Sequence, residues 1–118
     1  MTEPSAELSA EDQKLVTLAK ATRARTGAAE GAAVRDLDGR TYAAATVALA
    51  SLNVSALGVC VSMAVASGAK GLEAAVLLTE AEAGVSPLDV DVLRDFAGAG
   101  VPVHVGDHRG NLGSVTST

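Results

Sequence analysis

The chain has 118 residues, 48% of them hydrophobic but with one Tyr, one Phe and no Trp, and its formal net charge is −5. This length suits one small domain, whose core must be built from Ala, Val and Leu and which would gain from burying more surface in an oligomer. The acidic balance, with no aromatic residues interleaved with Arg or Lys, argues against a nucleic-acid partner. One cysteine excludes an intramolecular disulfide and a cysteine cluster within one chain.

The N-terminal residues 1–8 are acidic and polar, and they predict a flexible tail ahead of a single domain over residues 9–118. This segment lacks the hydrophobic centre of a signal peptide, and no apolar stretch of about 18 residues follows. We therefore expect a cytoplasmic protein without a membrane partner.

The first predicted helix begins after Ser9, whose hydroxyl can accept a free backbone N–H, and it runs to about Thr26. Gly27 is a suitable C-cap. Residues 32–34 and 41–49 then predict a β-hairpin around the turn 36–39, because its Asp-Gly pair supplies the positive φ that tight turns need.

An apolar segment over 54–67 predicts a helix buried on most sides. Small side chains form a stripe along it, which more often indicates core packing than a contact between subunits. The stripe comprises Ser55, Gly58, Ser62 and Ala66.

Residues 72–79 predict a central strand, and Ser86-Pro87 opens a helix that Gly98 ends. Residues 101–105 predict a further strand, and residues 106–118 either add an edge strand or fray. Helices that alternate with strands predict an α/β fold with a mixed, partly parallel sheet.

The segment GAAVRDLDGRTYAAATVALAS, residues 31–51, resembles a cytidine deaminase without a gap. The matching stretch in that family is a Gly-Ala-Ala strand, an Asp-Gly turn, a Tyr-bearing return strand and Asn-Val-Glu-Asn-Ala-Ser. Nine residues fit this pattern: Gly31, Ala32, Ala33, Asp38, Gly39, Tyr42, Val47, Ala50 and Ser51. At domain scale the resemblance spans roughly residues 12–106, and it is closest to short actinobacterial members without the usual metal motif. It implies a three-layer α-β-α sandwich with a mixed sheet.

The resemblance also implies chemistry that this sequence lacks. Cytidine deaminases attack C4 with a zinc-bound hydroxide, and a Glu shuttles the proton. In the family, the zinc ligands and this Glu come from Cys-Ala-Glu or His-Ala-Glu at the start of the buried helix, and further zinc ligands come from Pro-Cys-x-x-Cys at the next helix start.

The first motif is missing in either register. The gapless alignment places Leu57, Gly58 and Val59 at the Cys-Ala-Glu positions. An insertion of three residues makes Cys60 the ligand but puts Ser62 at the glutamate position, where a serine cannot shuttle a proton at neutral pH.

The second motif is missing too. Alignment on Pro87 puts Leu88 and Asp91 at the two cysteine positions, whereas alignment on the downstream helix puts Ser86 and Asp89 there.

The family's Asn and Glu that grip the ribose correspond to Thr46 and Ala48, so we expect weak nucleoside binding. The resemblance thus implies a set of vestigial pocket positions. These are Thr46, Ala48, Leu57, Val59, Leu88 and Asp91.

No other metal site is visible, because the remaining candidate ligands lie on different predicted elements without a close-spaced motif. They are Cys60, His104, His108, Asp89 and Asp91. We expect His104 to alternate outward on its strand, His108 to lie in a polar turn and Cys60 to be a small buried hydrophobe. We therefore expect no cofactor, although the family would carry zinc.

Two functions remain open from the sequence. The first is a deaminase-like pseudoenzyme that acts as a binding or assembly module, as a homodimer or homotetramer, with a possible small nucleoside-like ligand or a competent paralogue as partner. The second is a functional nucleoside deaminase or hydrolase with an atypical site.

Overall fold

A computed structural model describes residues 8–118, so the predicted tail lies outside the described residues apart from Leu8. Three helices and seven strands follow one another in this part of the chain. In order they are α1 (Ala10–Thr26), β1 (Gly31–Asp36), β2 (Thr41–Ala45), β3 (Val47–Ala48), β4 (Asn53–Val54), α2 (Ala56–Ala66), β5 (Leu72–Leu78), α3 (Pro87–Ala97), β6 (Pro102–Gly106) and β7 (Leu112–Ser117).

A five-stranded sheet forms the middle layer, with the strand order β2-β1-β5-β6-β7. Strands β5 and β6 run parallel, and the other neighbouring pairs are antiparallel. Helix α1 packs on one face, over a core cluster around Leu15, Val76 and Leu78. Helices α2 and α3 pack on the other, over a larger cluster that includes Leu57 and Leu93. The predicted three-layer α-β-α sandwich with a mixed sheet is confirmed.

Helix α1 has the predicted bounds. The Ser9 hydroxyl accepts a hydrogen bond from the backbone N–H of Asp12 at 3.1 Å, and Gly27 ends the helix with φ 65°. This positive φ costs glycine little, so the chain can turn sharply towards β1.

The β1–β2 hairpin is organised by one buried carboxylate. Asp36 is 1% exposed, and its Oδ1 accepts hydrogen bonds from the backbone N–H groups of Asp38 and Arg40, each at 2.9 Å. The Tyr42 hydroxyl donates a hydrogen bond to Asp36 Oδ2 at 2.8 Å. Gly39 adopts φ 87°, as the predicted Asp-Gly turn requires.

The return strand is shorter than predicted. It ends at Ala45, and the backbone N–H of Thr46 donates to the Glu30 carbonyl at 3.2 Å before the chain leaves the sheet. Strands β3 and β4 then form a separate small ribbon, whose turn is closed by a 2.8 Å bond from the Leu49 N–H to the Leu52 carbonyl. In the sequence, the apolar pattern of the return strand continues past Thr46. The pattern therefore does not indicate that the chain leaves the main sheet there.

Helix α2 begins later than predicted, and the predicted small-residue stripe does not pack in the core. Ser62 and Ala66 are exposed, and Gly58 is half-buried. The buried side of α2 consists of other residues, namely Ala56, Leu57, Cys60, Val61 and Ala64. The core-packing interpretation of the stripe is therefore wrong, because a different face of the helix packs against the sheet.

Strand β7 resolves the alternative left open for residues 106–118, because it pairs with β6 as an edge strand. Thr118 anchors its end. The Thr118 hydroxyl donates to the Gly98 carbonyl at 2.7 Å and accepts from the Val101 N–H at 3.0 Å.

His104 alternates away from Val103 and Val105 as predicted, but the face it reaches is covered by α1. It is 9% exposed, and its Nε2 lies 3.3 Å from Asp12 Oδ2. Arg35 joins the same group, at 3.0 Å from Asp12 and 2.7 Å from Glu73. The expected outward-facing histidine is thus a buried part of the contact between α1 and the sheet.

Gly31 sets the distance between α1 and the sheet. A Cβ at this position would lie 2.5 Å from the Ala19 carbonyl oxygen and 2.5 Å from the Arg23 Cβ. We therefore expect Gly31→Ala to push α1 away from β1 and to lower the free energy of unfolding by about 1–3 kcal/mol. Urea denaturation measures this change. Gly113→Ala is the matched control in a strand, since its Cβ meets nothing within 4 Å, and equal losses in both variants would contradict the explanation.

The Asp36 carboxyl titrates abnormally. Burial raises its pKa, but the hydrogen bonds from Tyr42 and from the Arg40 and Asp38 backbones, with the Arg40 charge, outweigh burial. The net pKa lies below the ordinary value of 3.8. The ionised form is therefore the one that the hairpin stabilises.

Because this pKa is lower in the folded chain, Asp36 stabilises the fold above its unfolded pKa, and the effect is lost as the pH falls through the folded pKa. We expect Asp36→Asn to be less stable than the wild type at neutral pH, with the difference narrowing below about pH 4. Urea unfolding of both proteins at neutral pH and below about pH 4 measures this difference in stability. Asp38→Asn changes an exposed neighbouring carboxylate, and its difference in stability from the wild type should not narrow at low pH. A stability difference for Asp36→Asn that is the same at both pH values would refute the prediction.

Candidate functional site

The N-termini of α2 and α3 meet at one end of the helical layer. Ser55 is the N-cap of α2, and its Oγ accepts a hydrogen bond from the Gly58 N–H at 3.0 Å. The same hydroxyl donates to Asp89 Oδ1, in the first turn of α3, at 2.7 Å. One serine thus caps its own helix and binds the neighbouring helix.

The start of α3 is built in the same way. Ser86 is the N-cap and its Oγ accepts from the Asp89 N–H at 3.1 Å, while Pro87 occupies the first helical position. Asp89 is 6% exposed. Its carboxylate lies where the positive ends of two helix dipoles come together, which favours a negative charge.

The residues at this junction do not fit the zinc ion that the family resemblance implies. Their side chains supply two neutral hydroxyls and a single carboxylate, whereas protein zinc sites are built mainly from thiolates and imidazoles. Both hydroxyls already bind backbone N–H groups, and the Ser55 hydroxyl also donates to Asp89.

The other candidate ligands lie apart from this junction. Cys60 is fully buried, its thiol lies 3.6 Å from the Tyr42 carbonyl oxygen, and burial raises its pKa to about 12. The predicted small buried hydrophobe is confirmed. His104 lies on the opposite face of the sheet, under α1. His108 lies in a turn, and its Nε2 is 2.8 Å from the Ala29 carbonyl oxygen. Within residues 8–118, no three His, Cys, Asp or Glu side chains form a group that could hold a metal ion.

The six predicted pocket positions are distributed over three environments. Leu57 is 1% exposed in the core, and Val59 packs against that core from a half-buried position. Leu88, by contrast, is 71% exposed, and Asp91 is also on the surface. Leu57 and Leu88 therefore lie in different environments, one in the core and one on the surface.

The two ribose positions lie beyond the hairpin. Thr46 exchanges hydrogen bonds with the backbone of Glu30, whose N–H donates to the Thr46 hydroxyl at 3.0 Å. Ala48 is exposed in the small ribbon, opposite Asn53. No pocket forms on a single chain within the described range 8–118.

The residue that sequence reasoning missed is Ser55. The sequence analysis places Ser55 in the small-residue stripe, although a serine three residues before Gly58 and ahead of an apolar run is typical of an N-cap. The sequence places its partner Asp89 in a helix opening, at a family cysteine position and among the candidate metal ligands, without pairing it with Ser55. A side-chain contact between residues 34 positions apart has no local signal.

The arrangement of three layers, with two helix N-termini converging beside a mixed sheet, defines a three-layer α/β protein. A family model described as "Cytidine deaminase-like" matches residues 8–110. The chain belongs to the cytidine deaminase-like family.

Solved structures agree with this assignment at the level of the fold. Cytidine deaminase from Burkholderia pseudomallei is 23% identical, with a TM-score of 0.76 and coverage of 89% of this chain and 91% of that one. The Mycobacterium leprae enzyme is 19% identical, with a TM-score of 0.70 and coverage of 92% and 94%. The Bacillus anthracis enzyme is 15% identical, with a TM-score of 0.68 and coverage of 92% and 84%. Comparison with curated protein sequences gives no match.

None of the helices described over residues 8–118 has both the length and the apolar character needed to cross a membrane.

Proposed function

We propose that this chain is a non-catalytic member of its family, which acts as a homo-oligomeric binding or assembly module without a bound zinc ion. The observation that carries this proposal is the 2.7 Å hydrogen bond between Ser55 and Asp89. It joins the two helix starts from which the family resemblance expects zinc to be held.

The proton-transfer residue is also replaced. The family motif stands at the start of the buried helix, and the gapless alignment puts Val59, in the first turns of α2, at the glutamate position. Val59 has no ionisable group and packs against the core from a half-buried position. Deamination needs both an ionised water and a group that carries the proton to the base, so this combination supports a loss of catalysis.

Nucleoside recognition is weakened in a similar way. The Thr46 hydroxyl is already engaged by the backbone of Glu30, and Ala48 offers no polar atom on its side chain. A site that lacks polar partners for a sugar hydroxyl loses much of its discrimination. Any small nucleoside-like ligand would have to be held by other groups.

Assembly is supported by exposed leucines near the Ser55–Asp89 bond. Leu49 and Leu52 are 63% and 53% exposed in the turn of the ribbon that leads into Ser55. Leu88, next to Asp89, is 71% exposed. Large apolar side chains exposed on the segments that lead into Ser55 and Asp89 are a feature of interfaces, which supports a homodimer or homotetramer.

The alternative is a functional nucleoside deaminase or hydrolase with an atypical site. The family match over residues 8–110 favours it, because it spans most of the chain. It requires reactive groups other than those at the two helix starts.

A cytidine assay separates the two functions. We expect no loss of cytidine absorbance with purified protein, with or without added zinc, because the carboxylate between the helix starts, Asp89, is bonded to Ser55 and the glutamate position holds Val59. A zinc-dependent cytidine deaminase run under the same conditions is the control. Turnover that scales with protein concentration and survives repurification would establish the alternative.

Assembly is tested by light scattering after size exclusion. We expect a mass two or four times that of the 11.7 kDa chain, and we expect Leu52→Asp to reduce it, because a buried unpaired carboxylate disfavours an apolar interface. Leu37→Asp is the matched control, since Leu37 is 55% exposed in the β1–β2 turn at the other end of β2. A monomeric wild-type chain at micromolar concentration would refute the assembly proposal.

A further inference from the structure

We infer that Ser55 and Asp89 form a metal-independent clamp, which takes over the structural task of holding the starts of α2 and α3 together. This inference rests on the zinc-free state in the proposed function and adds how the helices are joined in that state; the tests below measure stability and metal binding, whereas the cytidine assay tests the loss of catalysis.

The geometry of the clamp is that of a strong hydrogen bond. The Ser55 hydroxyl lies 2.7 Å from Asp89 Oδ1, within the range of O–H···O⁻ bonds. Asp89 is 6% exposed, so little water competes for the carboxylate. A buried carboxylate without its donor would keep an unfavourable desolvation cost, and this cost makes the pair cooperative.

Each helix start contributes a second fixed contact. The Ser55 hydroxyl accepts from the Gly58 N–H, and the Asp89 N–H donates to the Ser86 hydroxyl. The Ser55 hydroxyl is therefore held by the backbone of its own helix, and the Ser86 cap fixes the backbone of Asp89. The clamp is preorganised and needs no ion to orient it.

The charge at the junction also favours a metal-free state. Two helix N-termini supply partial positive charge, and one carboxylate lies between them. A divalent cation at this position would face those two positive ends with a single anionic ligand. In a site built from thiolates, additional negative charge offsets the same repulsion.

Gly58 leaves room for the clamp. A Cβ at this position would lie 2.9 Å from Ser55 Oγ and 3.0 Å from Val54 Cγ1. Any larger residue would displace the hydroxyl from its position between Gly58 and Asp89. We therefore assign Gly58 as a positioning residue for Ser55.

A double-mutant cycle tests the clamp. We expect Ser55→Ala and Asp89→Ala each to lower the thermal midpoint by roughly 5 °C or more, and the double variant to lose clearly less than the sum, because the shared bond is removed once. Ser62→Ala and Asp91→Ala form the control cycle, since both residues are exposed on the same two helices, and their small effects should add. Strict additivity in the Ser55–Asp89 cycle would overturn the clamp.

Metal titration of the wild-type chain tests the same inference without any substitution. We expect neither EDTA nor zinc chloride to change the thermal midpoint, because the helix starts are joined by protein groups alone. A midpoint that falls with EDTA, or rises with zinc in proportion to its concentration, would overturn the inference through the linkage between binding and stability.

A gain-of-binding variant tests the position of the clamp. We expect S55C/S86C/D89C to bind one zinc ion per chain in a chromogenic competition assay, because three thiolates would then stand at the junction. L57C/L88C/D91C is the matched control and should bind none, since Leu57 is in the core and Leu88 is on the surface. Zinc binding by the control instead of the test variant would show that the clamp lies elsewhere than at the metal position.

Discussion

The hydrogen bond between Ser55 and Asp89 is the interaction on which the helical layer of this protein depends. It explains why a carboxylate is buried at a helix start, why a glycine follows three residues after the capping serine, and why both helices begin where they do. Each of these features is costly or unusual by itself. Together they form one arrangement, in which the charge on Asp89 is balanced by two helix ends and by one hydroxyl.

The fold is kept by features that are independent of this junction. Gly31 brings α1 close to the sheet, Asp36 closes the hairpin, and the core is built mainly from Ala, Val and Leu. Small side chains pack tightly and tolerate exchange when their volume is preserved. A family fold can therefore persist while the residues at two helix starts are replaced, since the sheet and its register do not depend on them. Membership of the cytidine deaminase-like family and a changed site are compatible for this reason.

Local chemistry made much of the fold predictable. Ser9, Gly27 and the Ser86-Pro87 pair define helix ends through contacts within a few residues, and these ends are where the sequence places them. The change of sheet at Thr46 and the burial of His104 under α1 were not predictable, because each depends on an element far along the chain. The candidate site was predictable only as a pair of altered helix starts. The bond across them joins residues 34 positions apart, and no pattern within either helix reports it.

Cys60 has a practical consequence of another kind. It is the only cysteine in the chain, it is fully buried, and burial raises its pKa to about 12, so that almost no thiolate exists in the native protein at neutral pH. A new cysteine introduced on the surface would thus react alone with a maleimide dye or a spin label. The wild-type sequence therefore serves as the background for such labelling without removal of its own cysteine.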